Sequence, residues 1–428
     1  MNMTSALKNK KLLIIGGDSF SVDIVKTAQR MGIYTIVTDW YDTKRSPAKL
    51  VADEYWNTSI EDYDMLSKQI KEHHVDGILT GFTDSYLLAY QHLCEINDLP
   101  SYGTKKQFEI LTNKALYKEW CKRFNVPTIQ QYNASDTDIQ FPVIIKPVDG
   151  SGSRGLHVCH NQEELQDAIA ASKKSSKQGE VIIERYMTGR EVTIFWTFVD
   201  GKYYLSAIGN RHVKQNQGEN VIPLPVGYTF PSVVIPKYQS EVEEYAKQMF
   251  SELGIRNGMM FMQCKVEDGT CYVYDIGYRL TGSMEYKILE VVSGYNPLKM
   301  LINFALTGKM TDEDISTKVN PATMSPCYNV SCLCAPGTIA EINGCDTLLQ
   351  EDGVIDSILT HFPGETITEE MKGLLTQITV RVLGSVKNQE ELCSTMQHIG
   401  ETIQITSTDN RQLLLPGIQQ EDIEGMVL

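Results

Sequence analysis

Residues 143–155 read VIIKPVDGSGSRG, an apolar run that ends in Lys-Pro and opens into a glycine- and serine-rich loop. The loop matches G-x-G-x-x-G, but a dinucleotide-binding fingerprint must lead from a strand directly into a helix. Here it leads into residues 156–159, which have the pattern of another strand. We therefore predict a flap between antiparallel strands whose backbone N–H groups can wrap a triphosphate, with a plain hairpin turn as the alternative. The flap consists of Gly150, Ser151, Gly152, Ser153, Arg154 and Gly155.

Two lysines stand where a phosphate could be bound. Lys146 interrupts an apolar strand just where the flap begins, and Lys114 opens a helical pattern directly after Asn113. A lysine ammonium is a compact point charge that suits a phosphate oxygen. Taken singly, each would be a solvated surface residue, and Lys146 stands out because of the strand that it interrupts.

A second strand pattern, at residues 181–184, ends in Glu184 and continues into Arg185, Tyr186 and Met187. Exposed backbone after such a strand can contact adenine through main-chain groups, and Glu191, shortly after, can accept both hydroxyl groups of a ribose. The alternative is that the two acids only flank a β-hairpin.

Strand patterns at residues 259–266 and 271–276 are joined by a tight turn. Two adjacent antiparallel strands can therefore present Gln263 and Asp275 side by side. Mg²⁺ (or Mn²⁺) needs only one or two protein oxygens when phosphates and water complete its octahedron. Arg279 lies two alternations beyond Asp275 and could stabilise a phosphoryl group in transfer.

The N-terminal quarter of the chain has a different rhythm from the rest. Strand-like runs at residues 11–15, 34–38 and 77–80 alternate with amphipathic helical patterns, which predicts an open parallel α/β domain over residues 1–106. Gly16-Gly17 and Asp39 in this layer leave a remote alternative, an NAD(P)-dependent oxidoreductase. Asp84, after the third run, is either a substrate contact or a helix N-cap.

The sequence pattern of residues 107–428 predicts two further domains, both of the α+β class. Residues 107–310 alternate short strands with few helices, typical of antiparallel hairpins. Residues 311–428 predict a C-terminal α+β domain. The polar, proline-containing segment 214–230 is predicted to cover a substrate. Three domains agree with a length of 428 residues.

Composition excludes several classes of function. A net charge of −15 argues against nucleic-acid and anionic-membrane partners, and 42 % apolar residues with 22 % charged residues indicate an ordinary globular enzyme. The ten cysteines are not at metal-ligand spacing and indicate a reducing cytoplasm. The apolar stretch before Gly16 is too short for a signal peptide or a membrane span.

Together these motifs resemble the ATP-grasp superfamily along nearly the whole chain. Residues 335–343, APGTIAEIN, look like the closing domain of the branch that includes biotin carboxylase, glycinamide ribonucleotide synthetase and L-amino-acid ligases. The resemblance implies ATP and Mg²⁺ as cofactors, and a mobile lid at about residues 125–190. It places Lys114 and Lys146 on the α- and β-phosphates, the flap over the β/γ end, and Glu184 with the backbone of residues 185–187 at adenine.

The same resemblance implies roles for the remaining motif residues. Glu191 would contact the ribose, Gln263 and Asp275 would hold the metal, and Arg279 would hold an acyl phosphate, with Arg211 as a further substrate or phosphate contact. Family members usually have Glu, Glu and Asn at the metal positions, whereas this chain has Gln263, Asp275 and Gly277. Metal affinity without nucleotide should therefore be weak.

The expected function is an ADP-forming carboxylate–amine ligase that acts on small molecules through an acyl phosphate. Alternatives are a carboxylase that uses bicarbonate and an ATP-binding protein with weakened catalysis. Relatives of this kind are often dimers, so a homodimer is possible. The residues do not identify the carboxylate, the amine or a general base.

Overall fold

The structure of the chain, a computed structural model, describes residues 7–150, 155–214 and 223–428. Its first elements alternate strands with helices, as predicted. They are β1 (Lys11–Ile15), α1 (Ser21–Arg30), β2 (Tyr34–Thr38), α2 (Ala48–Val51), β3 (Glu54–Trp56), α3 (Tyr63–Glu72), β4 (Gly77–Thr80) and, after a 3-10 turn Asp84–Tyr86, α4 (Leu87–Ile96). The four strands form a parallel sheet in the order β3-β2-β1-β4.

The next part of the chain forms two helices and a small antiparallel sheet. The elements are α5 (Lys105–Thr112), α6 (Lys114–Arg123), β5 (Gln131–Tyr132), β6 (Val143–Pro147), β7 (His157–Cys159), α7 (Gln162–Lys174) and β8 (Val181–Arg185). The strands lie in the order β5-β8-β6-β7 and, with α7, enclose an apolar cluster of their own. We call the described residues between 131 and 185 the lid, after the predicted mobile lid, whose mobility stays a prediction. Asn113 separates α5 from α6 because its side chain caps α6 by accepting from the N–H groups of Ala115 and Leu116.

Long antiparallel strands and four helices follow. They are β9 (Glu191–Val199), β10 (Lys202–Lys214), β11 (Leu224–Phe230), α8 (Ile235–Glu241), α9 (Glu243–Glu252), β12 (Gly258–Glu267), β13 (Thr270–Gly277), α10 (Glu285–Ser293) and α11 (Pro297–Thr307). In the described ranges, no helix has both the length and the apolar character that crossing a bilayer requires.

The last part of the chain is again α+β, with a second large apolar cluster. Apart from short 3-10 turns, its elements are β14 (Cys327–Leu333), β15 (Gly337–Asn343), α12 (Cys345–Leu348), β16 (Val354–Leu359), β17 (Thr366–Ile367), β18 (Ile378–Ser385), α13 (Gln389–Thr402), β19 (Gln404–Ser407) and α14 (Gln420–Ile423). Strands β17, β15 and β19 form a small separate sheet.

An eight-stranded sheet is the platform on which the site is built. Its order is β13-β12-β9-β10-β11-β14-β18-β16, and every neighbouring pair is antiparallel. The predicted fold class, a parallel α/β layer followed by antiparallel α+β parts, is confirmed. The platform continues across residue 310 through the pairing of β11 with β14. The division of the chain into three domains stays a prediction.

Strand β11 corrects one prediction. Residues 214–230 were expected to form a covering loop, but all seven residues of Leu224–Phe230 are buried in the platform. Their prolines and glycine have local reasons: Pro225 lies where the register with β10 shifts, and Gly227 approaches β14 so closely that a Cβ would lie 2.5 Å from the carbonyl oxygen of Asn329. Residues 215–222 of the predicted loop lie outside the described residues.

Candidate active site

A cleft of about 750 Å³ lies between the carboxyl edge of the parallel sheet, the lid and one face of the platform. Of the predicted site residues within the described ranges, Glu184 and Gly155 do not line it; Ser151, Gly152, Ser153 and Arg154 lie outside those ranges. The predicted residues that line the cleft are Lys114, Lys146, Gly150, Arg185, Tyr186, Met187, Glu191, Arg211, Gln263, Asp275 and Arg279.

Lys114 connects the lid to the platform at the start of α6. Its Nζ donates to the carbonyl oxygen of Gly150, 2.9 Å away, and lies 3.0 Å from Oδ1 of Asp275. Gly150 is the first residue of the predicted flap and Asp275 lies on β13. A phosphate bound at Lys114 would therefore contact both parts of the molecule.

Lys146 belongs to a buried triad that the sequence did not predict. Glu184 is fully buried, and its two carboxylate oxygens lie 2.8 Å from Nζ of Lys146 and 2.5 Å from Nζ of Lys118. Lys118 also donates to the carbonyl oxygen of Val273, 3.1 Å away on β13. Burial alone would raise the pKa of Glu184, but the two ammonium groups outweigh it and hold the pKa below 4.5. Lys118 follows Lys114 by four residues, so a shared helix face was the available signal.

The segment predicted to contact adenine follows Glu184 along the edge of the lid. The N–H groups of Arg185 and Tyr186 donate to the carbonyl oxygens of Gln130 and Pro142 at 3.0 Å. Since these two donors are used inside the lid, an adenine ring would be contacted by Met187 or by carbonyl groups. The direct contact of Glu184 with adenine stays a prediction, and its carboxylate serves the two lysines.

Glu191 is the centre of a second buried charge cluster. Its carboxylate accepts from Arg211, from the Tyr274 hydroxyl at 2.8 Å and from Nζ of Lys265 at 2.8 Å. Burial raises the pKa of Glu191, but Arg211 and Lys265 reverse the effect and lower it below 4.5. A ribose bound at Glu191 would therefore share that carboxylate with three protein donors. Arg211, which lines the cleft, is already paired with Glu191.

Gln263 and Asp275 stand directly opposite each other on β12 and β13, as the tight turn between the strands predicted. In the part of the chain that the structure describes, no group of three or more His, Cys, Asp or Glu side chains could hold a metal ion. One carboxylate and one amide oxygen fit an Mg²⁺ ion that takes its other ligands from phosphates and water. At Gly277 a Cβ would lie 2.2 Å from the ring of Phe261, so an aromatic side chain fills that space.

Arg279 is held by the N-terminal layer. Its Nε and Nη2 lie 2.6 Å and 2.7 Å from the two carboxylate oxygens of Asp84, and its guanidinium lies 5.0 Å from the ring centre of Phe261. The expected helix N-cap is wrong, because the Asp84 carboxylate caps no described helix. Asp84 lines the cleft, and its contact with a substrate stays a prediction. The Asp84 carboxylate orients the arginine.

Asp39 does not support the dinucleotide alternative. It is buried and does not line the cleft; its carboxylate accepts from the Gly17 N–H at 2.8 Å and the Ser46 hydroxyl at 2.7 Å, and pairs with Lys49 at 2.8 Å. The residue that would read a ribose in a dinucleotide-binding domain thus holds the first βα loop together.

Besides Lys118 and Lys265, the charged residues Arg381 and Glu285 near the cleft were missed in the sequence. Arg381, on β18, lines the cleft and donates to the Ser331 hydroxyl at 2.7 Å. Glu285, at the start of α10, accepts hydrogen bonds from the hydroxyl groups of Thr281 and Ser283. Burial raises the pKa of its carboxyl group. Arg381 interrupts the apolar strand ITVRVLGS just as Lys146 interrupts VIIKP, so the same signal was present.

The middle of the chain is similar to known proteins. Residues 139–285 match the family described as an ATP-grasp domain. A formate-dependent phosphoribosylglycinamide formyltransferase from Sulfurisphaera tokodaii is 30 % identical over 269 residues, which cover 57 % of this chain and 64 % of that protein. The chain spans about 30 % of the length of the curated relatives that match it over longer stretches.

Solved structures share the fold over almost the entire chain. An L-amino acid ligase from Bacillus licheniformis superposes with a TM-score of 0.75 at 19 % identity, covering 94 % of this chain and 99 % of the ligase. The biotin carboxylase domain of a 2-oxoglutarate carboxylase from Hydrogenobacter thermophilus, in complex with MgADP and bicarbonate, gives 0.75 at 16 % identity, covering 95 % and 91 %. At these identities the likeness concerns the fold.

Proposed function

Because this chain contains an ATP-grasp domain at residues 139–285, we propose that it is an ADP-forming ligase that joins a carboxylate to an amine through an acyl phosphate. One observation carries the proposal. Lys114, Lys146 and Arg279 converge with Asp275 on a single cleft between the lid and the platform. Each of these cations has a carboxylate partner, but among the described residues the eight lysines and arginines that line the cleft outnumber its five aspartates and glutamates. That balance suits a highly anionic ligand, and the flap sequence beside it suits a triphosphate.

ATP would lie with its phosphates between Lys114 and Lys146. Lys146 is buried, and its Nζ donates a hydrogen bond to the Glu184 carboxylate. The position of its ammonium group is therefore fixed before the nucleotide binds. Lys114 would exchange its contact with the Gly150 carbonyl for a phosphate oxygen. Gln263 and Asp275 would hold Mg²⁺ (or Mn²⁺), which neutralises phosphate charge and orients the γ-phosphate.

The protein's own groups then account for the ligase chemistry. Arg279, held rigidly by Asp84, stabilises the charge of the phosphoryl group as the substrate carboxylate attacks it. The acyl phosphate is sensitive to water, so closure of the lid protects it until the amine attacks. Lys114 and Lys118 each contact both the lid and β13, which ties lid position to the reaction centre.

The test is an ADP-release screen of amino acids and small carboxylates, each paired with amines. We expect release that depends on both substrates and is lost in Lys146→Ala and Arg279→Ala. Lys105→Ala is the matched control, since Lys105 is exposed and pairs only at 3.9 Å with Glu109. Full activity in both site variants would contradict the assignment.

The same screen separates the alternatives. ADP release that requires bicarbonate and no amine would indicate a carboxylase. Nucleotide binding without ADP release under any substrate set would indicate a binding protein. Tight NAD(P) binding in a fluorescence titration would restore the oxidoreductase alternative.

We further propose a cytoplasmic location and small-molecule partners. All ten cysteines are free thiols, and eight of them are buried, which suits a reducing compartment. A homodimer stays a prediction, and the sedimentation velocity of the full chain tests it. A cell fractionation that places the protein outside the cytoplasm would remove the location.

A further inference from the structure

Arg381 differs from the other cations around the cleft. It is 6 % exposed, and within the described residues no carboxylate lies within 4.0 Å of its guanidinium. Among the same residues its Nε, like that of Arg211, is buried without a hydrogen-bond partner. In the part of the chain that the structure describes, its one side-chain hydrogen bond goes to the neutral hydroxyl of Ser331. The other buried and half-buried cations that line the same cleft each have a carboxylate partner: Lys114 with Asp275, Lys146 with Glu184, Arg185 with Glu267, Arg211 and Lys265 with Glu191, and Arg279 with Asp84.

An unpaired buried cation is unfavourable for the free protein. Removal from water disfavours the charged form, and burial lowers the pKa of Arg381 to about 10, helped by the charge of Arg211 and opposed by Tyr228 and Glu285. Arg381 is still a cation at neutral pH. Such a group is retained at a cleft wall when something that binds there supplies the missing charge.

Arg381 and Arg211 lie on different strands of the platform. Arg381 lies opposite Ser331 in the strand register, and Ser331 shares its face with Asn329, which lies opposite Tyr228, itself opposite Arg211. Strands β10 and β18 are three strand spacings apart, about 14 Å along the sheet. The side-chain amide oxygen of Asn329, which lies between Arg211 and Arg381 in this series of residues, is also buried without a hydrogen-bond partner in the described ranges.

We propose that Arg381 binds a carboxylate of a small substrate that is not the carboxylate activated by ATP, an inference that rests on the proposed ligase function. The planar guanidinium can hold a carboxylate through two parallel N–H···O bonds, and its unpartnered Nε supplies one of them. A single negative charge fits best, because Arg211 is already neutralised by Glu191 and Glu285 lies nearby. A phosphate dianion would fit less well, because within the described residues it would have Arg381 as its one buried unpaired cation and Glu285 as an acidic neighbour.

The first experiment compares acids with their amides. The twenty L-amino acids and small dicarboxylates, from malonate to adipate, are tested for ADP release beside their carboxamides or monoamides and phosphomonoesters of similar size. We expect the free acid to exceed its amide. In Arg381→Gln the KM of that acid should rise about 30-fold or more, with the KM of ATP changing less than about twofold, and Arg381→Lys should restore part of the loss.

Arg256→Gln is the matched control, because Arg256 is exposed and lies outside the cleft. Equal activity with acid and amide, or an unchanged KM in Arg381→Gln, would overturn the inference while the ligase function stands. Preference for phosphomonoesters would overturn the carboxylate in favour of a phosphate. If no pair releases ADP, the proposed function fails. The inference then depends on calorimetric binding of the same acids, and equal binding by wild type and Arg381→Gln overturns it.

A second measurement separates binding from a structural role. Removing an unpaired buried charge should not destabilise the substrate-free protein, so Arg381→Met should unfold at or above the wild-type temperature. If Arg381 serves only to hold Ser331, the same variant should unfold at a lower temperature, and that result also contradicts the inference.

Discussion

Asp84 and Arg279 form a two-contact ion pair, at 2.6 Å and 2.7 Å, between the carboxyl edge of the parallel sheet and the chain directly after β13. The residues are separated by 195 positions. The N-terminal layer therefore sets the orientation of the arginine assigned to phosphoryl transfer. Rigid orientation of a charged group before the reaction is a main source of transition-state stabilisation.

Asp84→Asn should accordingly slow the reaction without weakening nucleotide binding. We expect kcat for ADP release to fall about tenfold or more, because an asparagine can hold only one of the two guanidinium contacts. The measurement pairs steady-state kinetics with the Kd of a fluorescent ATP analogue. Asp76→Asn is the control, since Asp76 pairs with Lys10 at the start of β4. An unchanged kcat in Asp84→Asn would show that Arg279 orients itself.

Lys118→Met should destabilise the fold. Removing Lys118 deprives fully buried Glu184 of one of its two cationic partners, and breaking such a contact costs about 3 kcal/mol. Urea unfolding at neutral pH measures the loss. Lys122→Met, one turn further on α6 and exposed, should change the free energy of unfolding by about 0.5 kcal/mol or less. Similar losses in both variants would contradict the importance of the triad.

Acid should weaken the fold through Glu184 and Glu191. The pKa of each is lowered from 4.5 by its cations, so the unfolded chain binds more protons than the native state just below that pH. The stability that these groups contribute is therefore present above 4.5 and lost as the pH falls through their native values. Free energies of unfolding measured from neutral pH downwards should show this slope. The Glu184→Gln variant should be less stable at neutral pH, and its free energy of unfolding should change less with pH. A slope unaffected by that substitution would assign acid sensitivity to other groups.

Gln263→Glu should strengthen metal binding. The present pair offers one formal negative charge, and a second carboxylate opposite Asp275 should lower the Kd of Mn²⁺ about tenfold in the absence of nucleotide. Electron paramagnetic resonance of free Mn²⁺ measures the Kd directly. Gln239→Glu, on the exposed surface of α8, should leave it unchanged. Equal affinities in wild type and Gln263→Glu would place the metal elsewhere.

Much of the site followed from local sequence rules. Gln263 and Asp275 could be paired because a tight turn fixes the register of the strands on either side. The strand before the flap could be recognised because Lys146 interrupts an apolar run. In both cases the deciding pattern lies within one strand or one hairpin.

The missed relationships are long-range. The ion pairs of Arg279 with Asp84 and of Lys118 with Glu184 depend on how separate elements pack, which no local pattern specifies. Strand β11 was missed because Pro225 and Gly227 are typical of loops, and only the bulge in β10 and the closeness of β14 explain them. Arg381 carried the same signal as Lys146, but nothing nearby in the sequence connected it to the cleft.

The pairing of β11 with β14 has a consequence for any shortened form of the protein. A chain that stops after residue 310 would leave β11 as an open edge, with its main-chain donors and acceptors unpaired and its apolar side chains uncovered. Such an edge invites strand addition from a neighbouring molecule. Aggregation, more than mere loss of activity, is what that truncation should produce.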